Sequence, residues 1–360
     1  MTKYKNNSHW ISSPMQDGLF ILSPPFIILC LVFSFSSYFS THEDVSPWVW
    51  FVVVLGVDVS HVYSTLFRTY FEPETFQKHK TTLTLIPIIV WLLSMMLYSL
   101  GSIYFWRTLA YLAVFHFIRQ QYGFMRIYTA KENKPTWFKQ IETYLIYAIT
   151  GIPILIWHFS ADRTFVWFVK NDFLIQSFNG AILFLHIALF SIVISYIMLE
   201  LYFVLKTKQY NVAKYLLLTG TFITWYFGIV YFNSDLIFTL FNVISHGVPY
   251  MMLIWVYGNK KAIDNKPWYV FIFSWKGSIV YILILLVLAY AEEGLWDVFI
   301  WKEHHALFSI FNSIENFNSV QFSLFLVPLL SVPQITHYIV DGFIWKIKDD
   351  KYDWKSHIIK

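Results

Sequence analysis

Cysteine is almost missing from this chain. The single one, Cys30, lies in an apolar run, which excludes intrachain disulfides, CxxC redox chemistry and multi-thiolate metal sites. Histidine and carboxylate are the metal ligands that remain. Charge is scarce too: only 13% of the 360 residues are charged, with a formal net charge of +4. The basic residues are scattered over short segments rather than gathered into the patch or stripe that binds nucleic acid, so no nucleic-acid partner is expected. Linkers, low-complexity tracts and internal repeats are also wanting. Near the start, Lys3 and Lys5 are followed by polar residues and the first apolar run lacks a small-residue cleavage site, so no cleavable signal peptide is expected.

What is present in excess is apolar and aromatic surface. Hydrophobic residues make up 57% of the chain and aromatics 21%, with a mean hydropathy of +0.52, far outside the soluble globular range. Nearly every stretch of about 20 residues is an apolar run, the length needed to cross a bilayer as a helix. The chain therefore reads as all-α, a polytopic integral membrane helical bundle forming a single transmembrane domain over 1–360. Ten apolar segments can be marked, at 18–40, 47–67, 82–104, 107–126, 140–159, 177–205, 213–232, 235–257, 269–290 and 318–345. The third and fourth are separated only by 102–107, and the seventh and eighth only by 233–235, so the count of ten turns on those two breaks.

Lysine and arginine placement orients the threading, because cytoplasmic loops carry the positive excess. With the N-terminus inside, 20 of the 26 basic residues fall on the cytoplasmic side, and Arg107, Arg163, Lys170 and Lys302 on the other; Arg119 and Lys276 lie within helices. That asymmetry predicts both termini in the cytoplasm. The long outer loop, 291–317, holds Trp296, Trp301 and His304-His305 among acids and is expected to lie along the interface as an amphipathic helix.

Apart from His158, which stands at the very end of the fifth segment and reads as interfacial, five histidines fall inside predicted helices, all on even-numbered ones: His61, His116, His186, His246 and His337. His61 is 7 residues from Arg68, His116 is 10 from Arg126, His337 is 9 from Lys346 and His246 is 14 from Lys260. At about 1.5 Å per residue these four sit roughly 10 to 20 Å above the inner face, at one level. His186, 20 residues from Lys206, is the outlier and reads as an ordinary helix-to-helix hydrogen-bonding group. The other four have polar company at helical spacing. Asp58 precedes His61 by three; Arg119 and Gln120 follow His116; Asn242 and Tyr250 flank His246; Gln334 and Asp341 flank His337. A ligating imidazole gives its other N–H to such a group, so Asp58, Asn242, Gln334 and Asp341 are the expected outer partners of a four-histidine metal site. With imidazole ligands and no sulfur, iron, zinc and copper are the candidate metals. A lone membrane histidine is more often a structural hydrogen-bonding group, and Asp58 and Asp341 also suit a proton relay.

Four stretches carry a family resemblance: GVDVSHV around His61, VFHFIRQQYG around His116, FNVISHGVPYMMLIW around His246 and VPQITHYIVDGFIW around His337. In order and helix placement they resemble the motifs of the bacterial Brp/Blh membrane proteins, which include a β-carotene-cleaving dioxygenase. The resemblance spans most of the chain and implies a non-haem Fe(II) held by His61, His116, His246 and His337 in a bacterial cytoplasmic membrane. It further implies O2 and a lipophilic small molecule, carotenoid-, isoprenoid- or lipid-like, as partners within membrane lipid. Three positions depart from the family pattern. Tyr250 stands where the third motif has a second histidine, Gln334 takes the place of the histidine after Val-Pro, and the first motif lacks Pro-His-Gly. Tyr250 is therefore a candidate ligand or proton donor, and Arg119 and Gln120 are candidate substrate-facing groups. Two other readings stand beside the oxygenase. One is a b-type haem protein with paired axial histidines. The other is a proton-coupled transporter or channel using Asp58, Arg119 and Asp341, although no Gly/Pro-broken segments occur in matching halves.

Overall fold

The computed structural model describes residues 9–42, 44–161, 163, 166–261, 266–311, 320–346, 351 and 353–359. Every regular element among them is helical. We number the long helices α1, the bent pair Pro14–Leu22 and Pro24–Ser34; α2, Pro47–Arg68; α3, Pro73–Leu100; α4, Ser102–Tyr128; α5, Thr136–Phe159; α6, Asn179–Thr207; α7, Val212–Tyr231; α8, Asp235–Lys261; α9, Ser278–Trp301; and α10, Phe322–Ile344. Eight of the described helices are long and apolar enough to cross a membrane, or nine if the α1 pair, bent by 54°, is one span. Helix α4 is equally long but is not among them, because it carries Arg107, Arg119, Arg126, His116, Gln120 and Gln121. Its polarity is tolerable because the face bearing His116 and Gln121 is buried against protein rather than lipid.

Proline and glycine set the breaks. Pro24 and Pro25 follow the α1 bend, where the missing N–H groups interrupt the ladder. Gly101 ends α3 at φ +144°, a left-handed conformation that side-chain-bearing residues avoid, so the chain reverses there within one residue. Helix α10 breaks at Ser331, just ahead of Pro333, and Ser331 donates its hydroxyl to the Val327 carbonyl across the break (2.9 Å).

Helix α8 is the centre of the bundle, buried along most of its length and packed on α1, α2 and α7, while α10 packs on α2, α3 and α4. Helices α3 and α6 form the outside, where Leu85, Ile89, Leu92, Leu183, Ile187 and Ile194 are exposed, as lipid-facing surfaces require. Both ends of the described chain lie at one end of the bundle. Lys260 Nζ donates to the Ile11 carbonyl (2.5 Å), and Ile11, Tyr257, Trp354 and Ile358 share one apolar cluster.

The ninth segment differs from the sequence expectation. A short helix, Pro267–Ile272, precedes α9, and α9 runs on to Trp301, well past 290. Residues 291–301 therefore continue a helix that is long and apolar enough to cross a membrane, rather than forming a separate one. Glu292 and Glu293 stand on its inward side beside a cavity, which is why two adjacent acids do not end it. Of the remainder of the expected interfacial helix, 302–311 form turns and one short 3-10 turn, Ser309–Phe311, and 312–317 lie outside the described residues.

Candidate metal centre

The sequence places one histidine on each of α2, α4, α8 and α10, and the packing of those helices brings all four to one point. One ring nitrogen from each of His61, His116, His246 and His337 can be chosen so that all four lie within 4.8 Å of one another. The rings form a closed square. Their centroids are 4.6 Å apart for His61 and His246, 5.0 Å for His246 and His116, 4.6 Å for His116 and His337, and 4.9 Å for His337 and His61. Neighbouring rings meet edge to face, at 65° to 89°. All four are buried.

Polar atoms inside a protein normally find partners, yet His116 Nε2 and His337 Nε2 have none among the described residues. His246 Nε2 faces His61 Nε2 at 3.1 Å. Two nitrogens each ~2.1 Å from one ion stand ~3.0 Å apart at a right angle, ~3.4 Å at the tetrahedral angle and ~4.2 Å when opposite. The 3.1 Å pair falls between the right-angle and tetrahedral values, and the 4.8 Å bound on the whole set is near the span of one divalent ion's ligand shell. The donor set also fits: four neutral imidazoles at membrane depth supply strong ligands for a first-row metal without burying four charges.

Close helix approach makes the square possible. Gly247 follows His246, and a Cβ there would stand 2.7 Å from Val57 Cγ1 and 3.0 Å from the Val57 carbonyl oxygen. Only glycine lets α8 come this near to α2. The facing stretch of α2, Trp50–Val59, has the wide turn of a π-helix, which resets the helical phase just ahead of His61. Aromatic rings brace the imidazoles from outside. Phe117 stacks on His246 at 3.7 Å and 12°, and Tyr338 on His116 at 4.7 Å and 28°.

The outer partners are partly those expected. Asp58 Oδ1 lies 3.6 Å from His61 Nδ1. Asp341 lies 3.7 Å from His337 Nδ1 and 4.0 Å from His116 Nε2. Tyr250 donates to Asp341 (2.5 Å) and is 2.8 Å from Thr65 Oγ1, so its hydroxyl joins the network around His337. Thr65, not foreseen from the sequence, completes it by holding His337 Nδ1 at 2.7 Å. Gln334 acts at one remove, donating to the hydroxyl of Tyr338, the ring stacked on His116 (2.8 Å).

Three expected residues behave differently. Gln120 donates to the backbone carbonyl of His246 (2.8 Å), tying α4 to α8 rather than serving the His116 ring. Asn242 donates weakly to Phe238 of its own helix (3.3 Å), leaving its Oδ1 and His246 Nδ1 without partners among the described residues. Arg119 makes its contacts away from the four rings. It is exposed, donates to the Tyr147 hydroxyl (2.5 Å) and lies over the Tyr122 ring at 4.8 Å. Three residues along from His116 is 60° off its face, and that offset sends the guanidinium to the bundle surface. His186 stands apart, as its depth predicts, with Nδ1 2.9 Å from the Ile182 carbonyl of its own helix.

Beyond the square, towards the end of the bundle opposite the chain ends, lies a cavity of about 480 Å³. Asp58 of α2, Val243 of α8 and Gln334 of α10, each three residues before a histidine of the square, line its inner end. Comparisons with family models, with curated proteins and with solved structures return no match for this chain.

Proposed function

We propose that this protein is an integral-membrane non-haem iron enzyme in which His61, His116, His246 and His337 hold one Fe(II) and leave a position open for O2. The observation that carries the reading is the closed square of four buried imidazoles, of which His116 Nε2 and His337 Nε2 have no hydrogen-bond partner among the described residues. Iron in such a site would supply O2 activation, and an open position is what separates catalytic from structural metal sites. The resemblance of the four motif stretches to the Brp/Blh family supports oxidation or cleavage of a lipophilic substrate. The charge asymmetry of the loops supports ten spans with both termini in the cytoplasm of a bacterial inner-membrane protein. The chain's own residues would divide the remaining work. Thr65, Asp58 and Asp341 orient the ligand rings. Tyr250, bonded to Asp341, is placed to hold or pass a proton at its hydroxyl, and Phe117 and Tyr338 keep water from two ring faces.

The geometry favours a bare ion over haem, because a macrocycle would have to lie between two axial imidazoles. Here the four rings pack edge to face and leave no slot. The transporter reading would need Arg119 to work with Asp58 and Asp341, whereas its contacts are with Tyr147 and Tyr122. The test is metal analysis of gently extracted protein, followed by oxygen uptake with lipophilic substrates. About one iron per chain, almost none in His337→Ala, and an unchanged content in Arg119→Ala and His186→Ala are expected. A reduced sample with a Soret band, or a preparation with neither iron nor another metal, would sink the proposal.

A further inference from the structure

Carboxylates inside this bundle are treated in two ways. Near the chain-end side they meet lysine or arginine. Glu72 pairs with Arg68 at 2.9 Å and with Lys261, and Lys214 Nζ lies 2.9 Å from Glu142 and 3.0 Å from Glu200. Around the cavity beyond the histidines the pattern reverses. Asp44, Asp58, Asp235, Glu292, Glu293 and Asp297 line it, and no lysine or arginine does among the described residues. Asp297 is occupied by the backbone N–H groups of Glu303 and His304 and by the His305 ring, and Glu292 by Tyr63 (2.5 Å) and Trp296 (3.3 Å). Glu293 lines the cavity beside Glu292, and Asp235, which the backbone N–H of Val166 meets on one side, keeps an Oδ1 with no partner among the described residues. Several carboxylates facing one space at membrane depth without a counter-cation are costly, and they mark ion pathways.

A second observation says where such a path leads. Asp58, which lines the cavity, faces His61 Nδ1 at 3.6 Å; that nitrogen has no hydrogen-bond partner among the described residues, and its ring is 1% exposed. The opposite nitrogen of the same ring faces into the four-imidazole square. Val243 and Gln334, which also line the cavity, stand three residues before His246 and His337. Hard oxygen donors therefore run from the bundle end to the edge of a nitrogen site. That order suits a cation that arrives hydrated and gives up water in steps: carboxylates bind it loosely and exchange it, and imidazoles retain it.

We propose that this cavity is the entry vestibule for the divalent metal, with Asp235, Glu293 and Asp58 passing a hydrated cation inwards to the four histidines. The inference rests on the metal reading of those histidines and adds the route by which the ion arrives. Cations are drawn into a low-dielectric cleft of one charge sign, which raises association rates by 10- to 1,000-fold at low salt. Loading should thus be fast, salt-sensitive and dependent on vestibule residues that do not touch the final site.

The experiment strips the full-length protein in detergent with a chelator. It then follows Co2+ loading by the visible absorption of cobalt bound to imidazole, in wild type and in the double variant Asp235→Asn, Glu293→Gln. The expected result is at least a tenfold slower second-order loading rate in the double variant at low salt, with the same final cobalt content and spectrum. The wild-type rate alone gives a second reading that needs no variant: it should fall steeply as salt is raised. A wild-type spectrum at full stoichiometry, with a rate insensitive to salt or unchanged by the double substitution, overturns the vestibule and leaves the metal centre standing. Failure of the wild type to form any cobalt spectrum that His246→Ala abolishes overturns the metal reading, and the route with it.

Discussion

Replacing Thr65 by valine isolates the part of the site that sequence motifs do not show. Thr65 Oγ1 lies 2.7 Å from His337 Nδ1 and 2.8 Å from the Tyr250 hydroxyl, and the residue is buried. Valine keeps the branched shape and removes both bonds at once. Each lost hydrogen bond is worth ~0.5–1.5 kcal/mol, and leaving buried groups short of a partner raises the total cost to folding to ~1–3 kcal/mol. The effect on metal should be sharper than the effect on folding, because the ring would lose the contact that fixes its tautomer and orientation. Loss of such an outer partner typically weakens a site by ~10- to 100-fold, or ~1.4–2.7 kcal/mol. Competition against a chelator of known affinity measures this directly, beside thermal unfolding of the same sample. Thr65→Ser should restore most of the affinity by returning the hydroxyl. If Thr65→Val bound metal as tightly as wild type, His337 would be held by packing alone, and the assignment of Thr65 as its orienting partner would be wrong.

Gly247→Ala should lower thermal stability by ~1–3 kcal/mol and reduce metal content, because the new methyl would meet the Val57 carbonyl as well as a movable side chain; a variant as stable and as metal-rich as wild type would refute the close approach of α8 to α2. Lys214→Ala should lower the unfolding temperature, because among the described residues it leaves Lys134 as the one lysine paired with three carboxylates, Glu132, Glu142 and Glu200, at a cost of ~1–3 kcal/mol, while the folded fraction keeps its metal. Reporter fusions after Lys134 and after Lys360 should both report cytoplasm and one near Glu303 the opposite side; a cytoplasmic Glu303 would overturn the threading.

The parts of this molecule that follow from simple periodicity were legible in the sequence. A helix rises by a fixed amount per residue, so the distance of each histidine from its nearest basic loop set His61, His116, His246 and His337 at one depth and left His186 out, and the rings meet accordingly. Spacing also put Asp58 and Asp341 beside their histidines. Direction around the helix was harder. Arg119 and Gln120 both neighbour His116 in sequence, yet one reaches the surface and the other α8, a distinction that depends on where neighbouring helices sit. Thr65 follows His61 by four and was open to the same argument, but a threonine in an apolar helix usually bonds back to its own backbone and attracts no notice. The end of α9 was misjudged because Glu292, Glu293 and Asp297 read as solvent-exposed until the cavity they face is known. The φ of Gly101 and the π-turns of α2 leave no mark that hydropathy can register.

The central claim is that one ion sits among four imidazoles, and X-ray absorption at the metal edge of the purified, metal-loaded protein tests it most directly. The account predicts a first shell of nitrogen or oxygen at ~2.0–2.2 Å, outer-shell scattering from four imidazole rings, no sulfur, and the loss of one ring in His246→Ala. A first shell with fewer than three imidazoles, or one containing the sulfur of Cys30, would contradict it.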